Sequence, residues 1–189
     1  MSEAARRFLP DGSAVAALIR ARDWRGTPLG RPEGWPQPLR TLLAVMLGSA
    51  QPMFLVWGRE RTLLYNDAYA AVLAAKHPDA LGRPFLDVWH EIRDDLRPIV
   101  EAAYRGEAVQ MDDITLMMER RGFREETHFA FSYTPVQDEE GRVGGFFCAL
   151  RETTGQVAAE RRLRDGEARL RSVIDGMSEG FALLDRDFR

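Results

Sequence analysis

The sequence predicts an α+β domain built on a five-stranded antiparallel sheet with short helices on one face. Three observations carry that expectation. Two short apolar runs, Met53–Trp57 and Thr62–Tyr65, flank a charged turn, Arg59-Glu-Arg61, and read as a hairpin. The section that follows, up to Gly106, has helical patterning in short pieces. Three longer segments, Met111–Met118, Thr127–Val136 and Val143–Leu150, then alternate or run apolar between turn residues.

Val15, Leu18 and Ile19 at helical spacing predict a short amphipathic helix within Ser13–Arg22. The stretch Asp23–Pro38 is rich in proline and glycine and cannot continue it. Trp24 and Trp35 within it favour burial, so an ordered strap packed over something is expected. A helix Leu39–Gly48 leads to the first strand. The uncharged run Thr41–Gly58 approaches membrane-span length, yet Gly48, Ser49, Gln51 and Pro52 interrupt it. A spanning helix wants about 20 mostly apolar residues, so no membrane segment is expected. Asn66 sits at a helix N-cap before Asp67-Ala-Tyr-Ala-Ala-Val-Leu73. Helical pieces Leu86–His90 and Asp94–Tyr104 follow. In Thr127–Val136, Phe129, Phe131 and Tyr133 share one face, with His128, Ala130, Ser132 and Thr134 on the other. Beyond the last strand a highly charged helix, Gln156–Asp175, runs toward an apolar segment near Phe181. Leu39-Arg-Thr-Leu-Leu43 is echoed by Leu170-Arg-Ser-Val-Ile174, each ahead of an apolar run. The expected organisation is therefore an extension over 1–51, a domain over 52–154, a connecting helix over 155–177, and over 178–189 the first strand of a second copy.

Bulk properties narrow the function. The chain has 189 residues, 45% of them hydrophobic, enough for one real core. A net charge of −3 gives no reason to expect nucleic acid or an anionic membrane as a partner. The single cysteine, Cys148, cannot form an internal disulfide, and Met1–Arg7 leads into no apolar signal core. Both point to the cytoplasm. No catalytic set is visible, and His77, His90 and His128 lie apart from any zinc-like spacing. Gly141, Gly144 and Gly145 serve a hairpin and not a phosphate loop. Neither a phosphoacceptor histidine motif nor an ATP-binding box is present, so this segment is not expected to be an enzyme by itself.

With the elements in place, Leu64-Tyr-Asn-Asp-Ala-Tyr69 is similar to the second strand and Asn-capped helix of the PAS family of sensory domains. Leu81-Gly-Arg-Pro84 resembles that family's glycine before the next helix. Ser132-Tyr-Thr-Pro-Val-Gln-Asp138 with Gly141-Arg-Val-Gly-Gly145 resembles the hairpin joining its last two strands. The likeness covers about residues 52–163. The family ends its last strand with Asp-Ile-Thr before a helix containing Ala-Glu and a leucine. Here Glu152-Thr153-Thr154 occupies those places, with Ala159-Glu160 and Leu163 in step. Thr27-Pro-Leu-Gly30 and Trp35-Pro36 look like extensions on PAS-containing bacterial sensor histidine kinases.

The resemblance implies a sensory module in a two-component histidine kinase, relaying a conformational signal to a downstream PAS module and kinase. The alternatives are a ligand-free protein-interaction module, or the sensor segment of a cyclic-dinucleotide cyclase or phosphodiesterase. Glu152, Thr154, Glu160 and Leu163 mark the expected signal junction. A small-molecule pocket, its ligand unknown, is expected among Tyr69, Phe85, Trp89, Met111, Ser132 and Cys148. Covalent flavin chemistry is not expected, because Cys148 lies on a strand and outside the helical Asn-Cys-Arg motif. Haem is not expected either, since Asp94–Arg105 holds no histidine. Phe129, Phe131 and Tyr133 are expected on the outer sheet surface, covered by Trp24, Trp35 and their strap or by a partner subunit. Leu163, Leu170, Ile174 and Met177 follow a heptad seam interrupted by Glu160 and Glu167, so a homodimer with a marginal coiled coil is expected.

Overall fold

The computed structural model describes residues 8–187, with side chains through Asp175. It separates into two units, the first ending at Glu152 and the second beginning at Thr153.

The first unit opens with α1 (Ala14–Ala21), whose Ser13 side chain accepts from the Ala16 N–H as an N-cap. After the strap comes α2 (Gln37–Leu47), then β1 (Met53–Trp57) and β2 (Thr62–Tyr65). Helix α3 (Asp67–Leu73), the single turn α4 (Phe85–Val88) and α5 (Arg93–Tyr104) lead to β3 (Val109–Met118), β4 (Glu125–Gln137) and β5 (Val143–Glu152). The uncharged run Thr41–Gly58 divides between α2 and β1. Among the described residues no helix is long and apolar enough to cross a membrane.

All strands join one antiparallel sheet in the order β2-β1-β5-β4-β3. The last strand therefore lies in the middle, with Cys148 opposite both Phe54 and Tyr133. Gly144 and Gly145 are required by the close crossing of Trp57. A Cβ on Gly144 would lie 2.7 Å from that indole ring. At the sheet's edges, β3 carries a register irregularity between Met111 and Ile114, around Asp112 and Asp113. Residues Gly82–Phe85 lie along β2, where Leu63 donates to the Arg83 carbonyl and accepts from Gly82.

The two sheet faces are filled differently. Phe54, Phe146 and Tyr133 point toward the helical side and pack as rings, with centroids 4.4 Å apart for Tyr133–Phe146. Leu55 and its partner Leu64 point the opposite way, yet both are fully buried. Helix α2 packs on β1 and β2, and its own Leu39, Leu43, Met46 and Leu47 are buried. Phe147 and Ala149, farther along that outer face, are half-buried.

The second unit is one helix, α6 (Thr154–Asp187). The strand expected near Phe181 is helix through Asp187. A helix satisfies its backbone hydrogen bonds internally, whereas a strand needs a neighbour. The final pair, 188–189, lies outside the described residues, as does the Met1–Arg7 segment read for a signal peptide.

Candidate functional site

Two features of the first unit meet the description of a site: a cavity under the sheet and the place where the last strand ends. The cavity has a volume of about 40 Å³ and lies among Phe54, Tyr69, Phe85, Trp89, Tyr133 and Cys148, with Val72, Phe129 and Phe131 on its wall. An apolar cavity that takes a benzene-sized molecule is on the order of 150 Å³. The aromatic side chains occupy most of the room between sheet and helices.

Four of the six pocket residues expected from the sequence, Tyr69, Phe85, Trp89 and Cys148, therefore come together. Met111 is half-buried outside the lining, although it pairs in register with Phe131, and Ser132 faces the other side of β4. The expected orientation of β4 is reversed. Phe129, Phe131 and Tyr133 are 4, 8 and 3% exposed and look into the domain. Alternation separates two faces of a strand without saying which is inner, and the larger apolar area goes where α3, α4 and α5 cover it. The strap does not cover these rings. Trp24 and Trp35 are buried against each other, centroids 5.1 Å apart and edge-on, and Trp24 lies on Gly82.

Polar chemistry at the cavity is sparse. Trp89 Nε1 donates to the Tyr69 hydroxyl at 3.0 Å. Burial pushes both the Tyr69 and Tyr133 phenols above their ordinary range. It raises the Cys148 thiol as well, which keeps that sulfur protonated and a poor nucleophile. Behind Trp89, the Lys76 ammonium stands 4.8 Å from the ring and 2.8 Å from Glu91. Among the described residues no group of three or more potential metal ligands occurs.

Glu91 supplies a pH prediction. Burial raises its pKa, but the Lys76 ammonium and the backbone N–H groups of Glu91 and Glu119 outweigh that and lower it below the ordinary 4.5. A carboxyl depressed on folding stabilises above its unfolded value and loses that contribution as pH falls through the folded value. Glu91→Gln should therefore flatten the loss of stability as the solution is acidified from about pH 5 downward. Urea midpoints measured at several pH values check this, and parallel curves for the two proteins would refute it.

The strand exit is organised by a residue that sequence reading placed only in a turn. Arg120 is 1% exposed although it lies beside the β3–β4 hairpin tip. Its guanidinium binds Glu152 through both carboxylate oxygens, at 2.6 and 2.8 Å, and donates from Nε to Glu125 at 3.0 Å. Nη1 also reaches the Val72 carbonyl at 3.2 Å, and the guanidinium carbon stands 5.9 Å from the Phe129 ring. Burial works against the charge, but the hydrogen bonds to Glu152 and Glu125 more than offset it, raising the arginine pKa. The forked, always-charged head suits this bidentate role. Thus Glu152, the last sheet residue, is tied to two components of the cavity wall. The signal missed in the sequence was a second arginine at a turn that already had one exposed cation, Arg121.

Thr154, Glu160 and Leu163 belong to the second unit. Thr154 begins α6, and Glu160 accepts from the Gln156 side chain at 2.9 Å. Leu163, Leu170 and Ile174 are 67, 66 and 61% exposed. The fourth heptad residue, Met177, has its side chain outside the described residues.

A family model described as PAS fold matches residues 47–158. No curated protein matches the sequence. Among solved structures, the PAS domain of Bordetella pertussis BvgS aligns at 19% identity with a TM-score of 0.50, covering 69% of this chain and 97% of that one. An RNA-binding light-oxygen-voltage receptor aligns at 17% identity with a TM-score of 0.50, over 69% of this chain but only 37% of the receptor. A sensory box sensor histidine kinase from Vibrio cholerae aligns at 12% identity with a TM-score of 0.42, over 60% and 86%. Identities this low speak for the fold alone.

Proposed function

We propose a sensing and relaying role from one premise: this chain belongs to the PAS-fold family. In this reading it is the sensory and dimerisation segment of a cytoplasmic two-component histidine kinase, and it passes a conformational state to a second PAS module and kinase downstream. The segment itself carries out no chemistry. The observation that carries the proposal is the position of Arg120, which holds the final sheet residue Glu152 while touching Val72 and Phe129 of the cavity wall. A ligand or packing change that moves either wall residue alters the hold on Glu152, two residues before α6 begins. A relay of this kind needs two states that the signal favours unequally. The experiment is Glu152→Gln in the full-length protein, assayed for autophosphorylation with and without stimulus. The expected result is a basal output that no longer responds; an unchanged response refutes the relay.

The small cavity favours a second reading, a protein-interaction module whose core is filled by its own aromatics. Native and denaturing mass spectrometry of purified protein separates the two. A stoichiometric small apolar molecule supports the sensor, and stimulus-dependent output without one supports the interaction module.

The dimer is proposed to form through α6, where leucine and isoleucine on the heptad seam are solvent-exposed in one chain. Burying one such side chain contributes about 2 kcal/mol. Leu170→Asp should then raise the dimer dissociation constant by roughly 30-fold or more, as read by sedimentation equilibrium. An unchanged constant would remove α6 as the interface.

A further inference from the structure

Helix α3 is seven residues long, and three parts of the first unit meet on it. At its N-terminal end the Asp67 carboxylate accepts from the backbone N–H of Val15 at 2.7 Å and of Ala14 at 3.2 Å, capping the first turn of α1. These N–H groups have no intrahelical acceptor, and the carboxylate also complements the positive end of the helix dipole. In its middle, Tyr69 and Val72 form part of the cavity wall. At its C-terminal end the Val72 carbonyl accepts from Arg120, and just beyond, the Ala75 N–H donates to the Arg120 carbonyl at 3.0 Å. Seven residues of helix span about 10 Å, so one short hydrogen-bonded segment joins the Asp67 contact with α1 to the Val72 contact with Arg120.

We infer that the N-terminal extension is a second input to the strand exit. Asp67 is a positioning residue that, through α3, sets how firmly Arg120 holds Glu152. This rests on the reading of the Arg120–Glu152 pair as the relay point. Docking of α1 and closure of the exit pair are then linked, and linkage is reciprocal: loosening either end loosens the other by the same factor. The extension has a separate attachment that bypasses α3. Glu139, from the β4–β5 hairpin, accepts from the Gln37 N–H at 2.9 Å at the start of α2. It provides a control in which the extension is loosened at the start of α2, leaving the Asp67 cap on α1 and the Asn66 amide at the other end of α2 intact.

Hydrogen exchange on the 189-residue chain tests the linkage. Asp67→Ala is expected to speed exchange at Ala14 and Val15 directly, and at Ala75 and the 119–125 tip by about fivefold, the lower range of typical couplings. Glu152→Gln should in turn speed exchange at Ala14 and Val15 by a similar factor. Glu139→Ala should leave Ala75 and the tip at wild-type rates. Should Asp67→Ala fail to fold, Asp67→Asn, which keeps the shape and removes the charge, is read in the same way. The inference is overturned if Ala75 and the tip keep wild-type rates in the Asp67 variant. It is equally overturned if exchange rises uniformly over all five strands, which would make Asp67 a general stabiliser. Failure of the relay reading is visible separately, as an unchanged full-length response in Glu152→Gln despite coupled exchange.

Discussion

Replacing Arg120 by methionine is expected to destabilise the first unit by about 2–3 kcal/mol, between the values for exposed and fully buried pairs, because the guanidinium is buried while the Glu152 side chain is 31% exposed. Methionine fills the space of the arginine stem, so lost packing contributes little. What remains is Glu152 without its bidentate partner, Glu125 without its Nε donor, and a Val72 carbonyl without Nη1. The double variant Arg120→Met/Glu152→Gln should recover part of the loss, because the carboxylate that faced the guanidinium is gone. Urea denaturation with an unchanged m-value is the appropriate measurement. A loss under about 1 kcal/mol, the range of exposed pairs, would mean that the guanidinium is effectively solvated. The comparison between single and double variants matters more than either value. It isolates the interaction between the two residues, whereas each single change also alters neighbours.

The second large effect is expected at Asn66, which is fully buried. Its side-chain NH2 shares two hydrogens among the carbonyls of Met46, Ser49 and Gln51, which lie at 3.1, 3.1 and 2.7 Å. Its oxygen accepts from the N–H groups of Met53 and Tyr69, at 3.1 and 3.0 Å. One amide thus joins the end of α2, the start of β1 and the first turn of α3. Asn66→Ala removes all of these bonds at once from a junction of three elements, where a lost buried hydrogen bond costs about 1–3 kcal/mol, so a net loss of about 3–5 kcal/mol is expected. At roughly 3 °C per kcal/mol for a unit of this size, the melting temperature should fall by about 10–15 °C. Asn66→Asp should do no better than alanine, since a carboxylate would face three carbonyl oxygens. An aspartate variant close to wild type in its melting would show that the donated bonds contribute little.

These two residues also show how far the sequence could be read. Asn66 was legible as an N-cap because capping is local, set by a residue type and the helical pattern after it. Its contacts to three carbonyls were not, since they depend on where a loop fifteen to twenty residues earlier returns in space. Arg120 was invisible for the same reason: nothing in Glu119-Arg-Arg-Gly122 distinguishes the arginine that turns inward from the one that stays in solvent. The five strands were legible from alternation, turn residues and length. Which face of β4 is inner was not, because alternation is symmetric and the answer lies in the helices that cover one side. The strand expected near Phe181 failed differently. Apolar content fits strand and helix alike, and here the described backbone through Asp187 completes its hydrogen bonds as helix. Tyr69, Phe85, Trp89 and Cys148 line one cavity because the family resemblance orders whole elements, and side chains on those elements follow.

The irregularity in β3 has a consequence for solubility. An outermost strand offers unpaired N–H and C=O groups on which another chain can grow, the usual route to stacked aggregates. Here the irregularity interrupts the flat template at Asp112 and Asp113, and two adjacent carboxylates repel a like strand approaching in register. At the opposite border, Gly82–Phe85 already occupies the groups that β2 would present. Each border of the sheet is thereby a poorer template for another strand than a flat, unpaired edge would be.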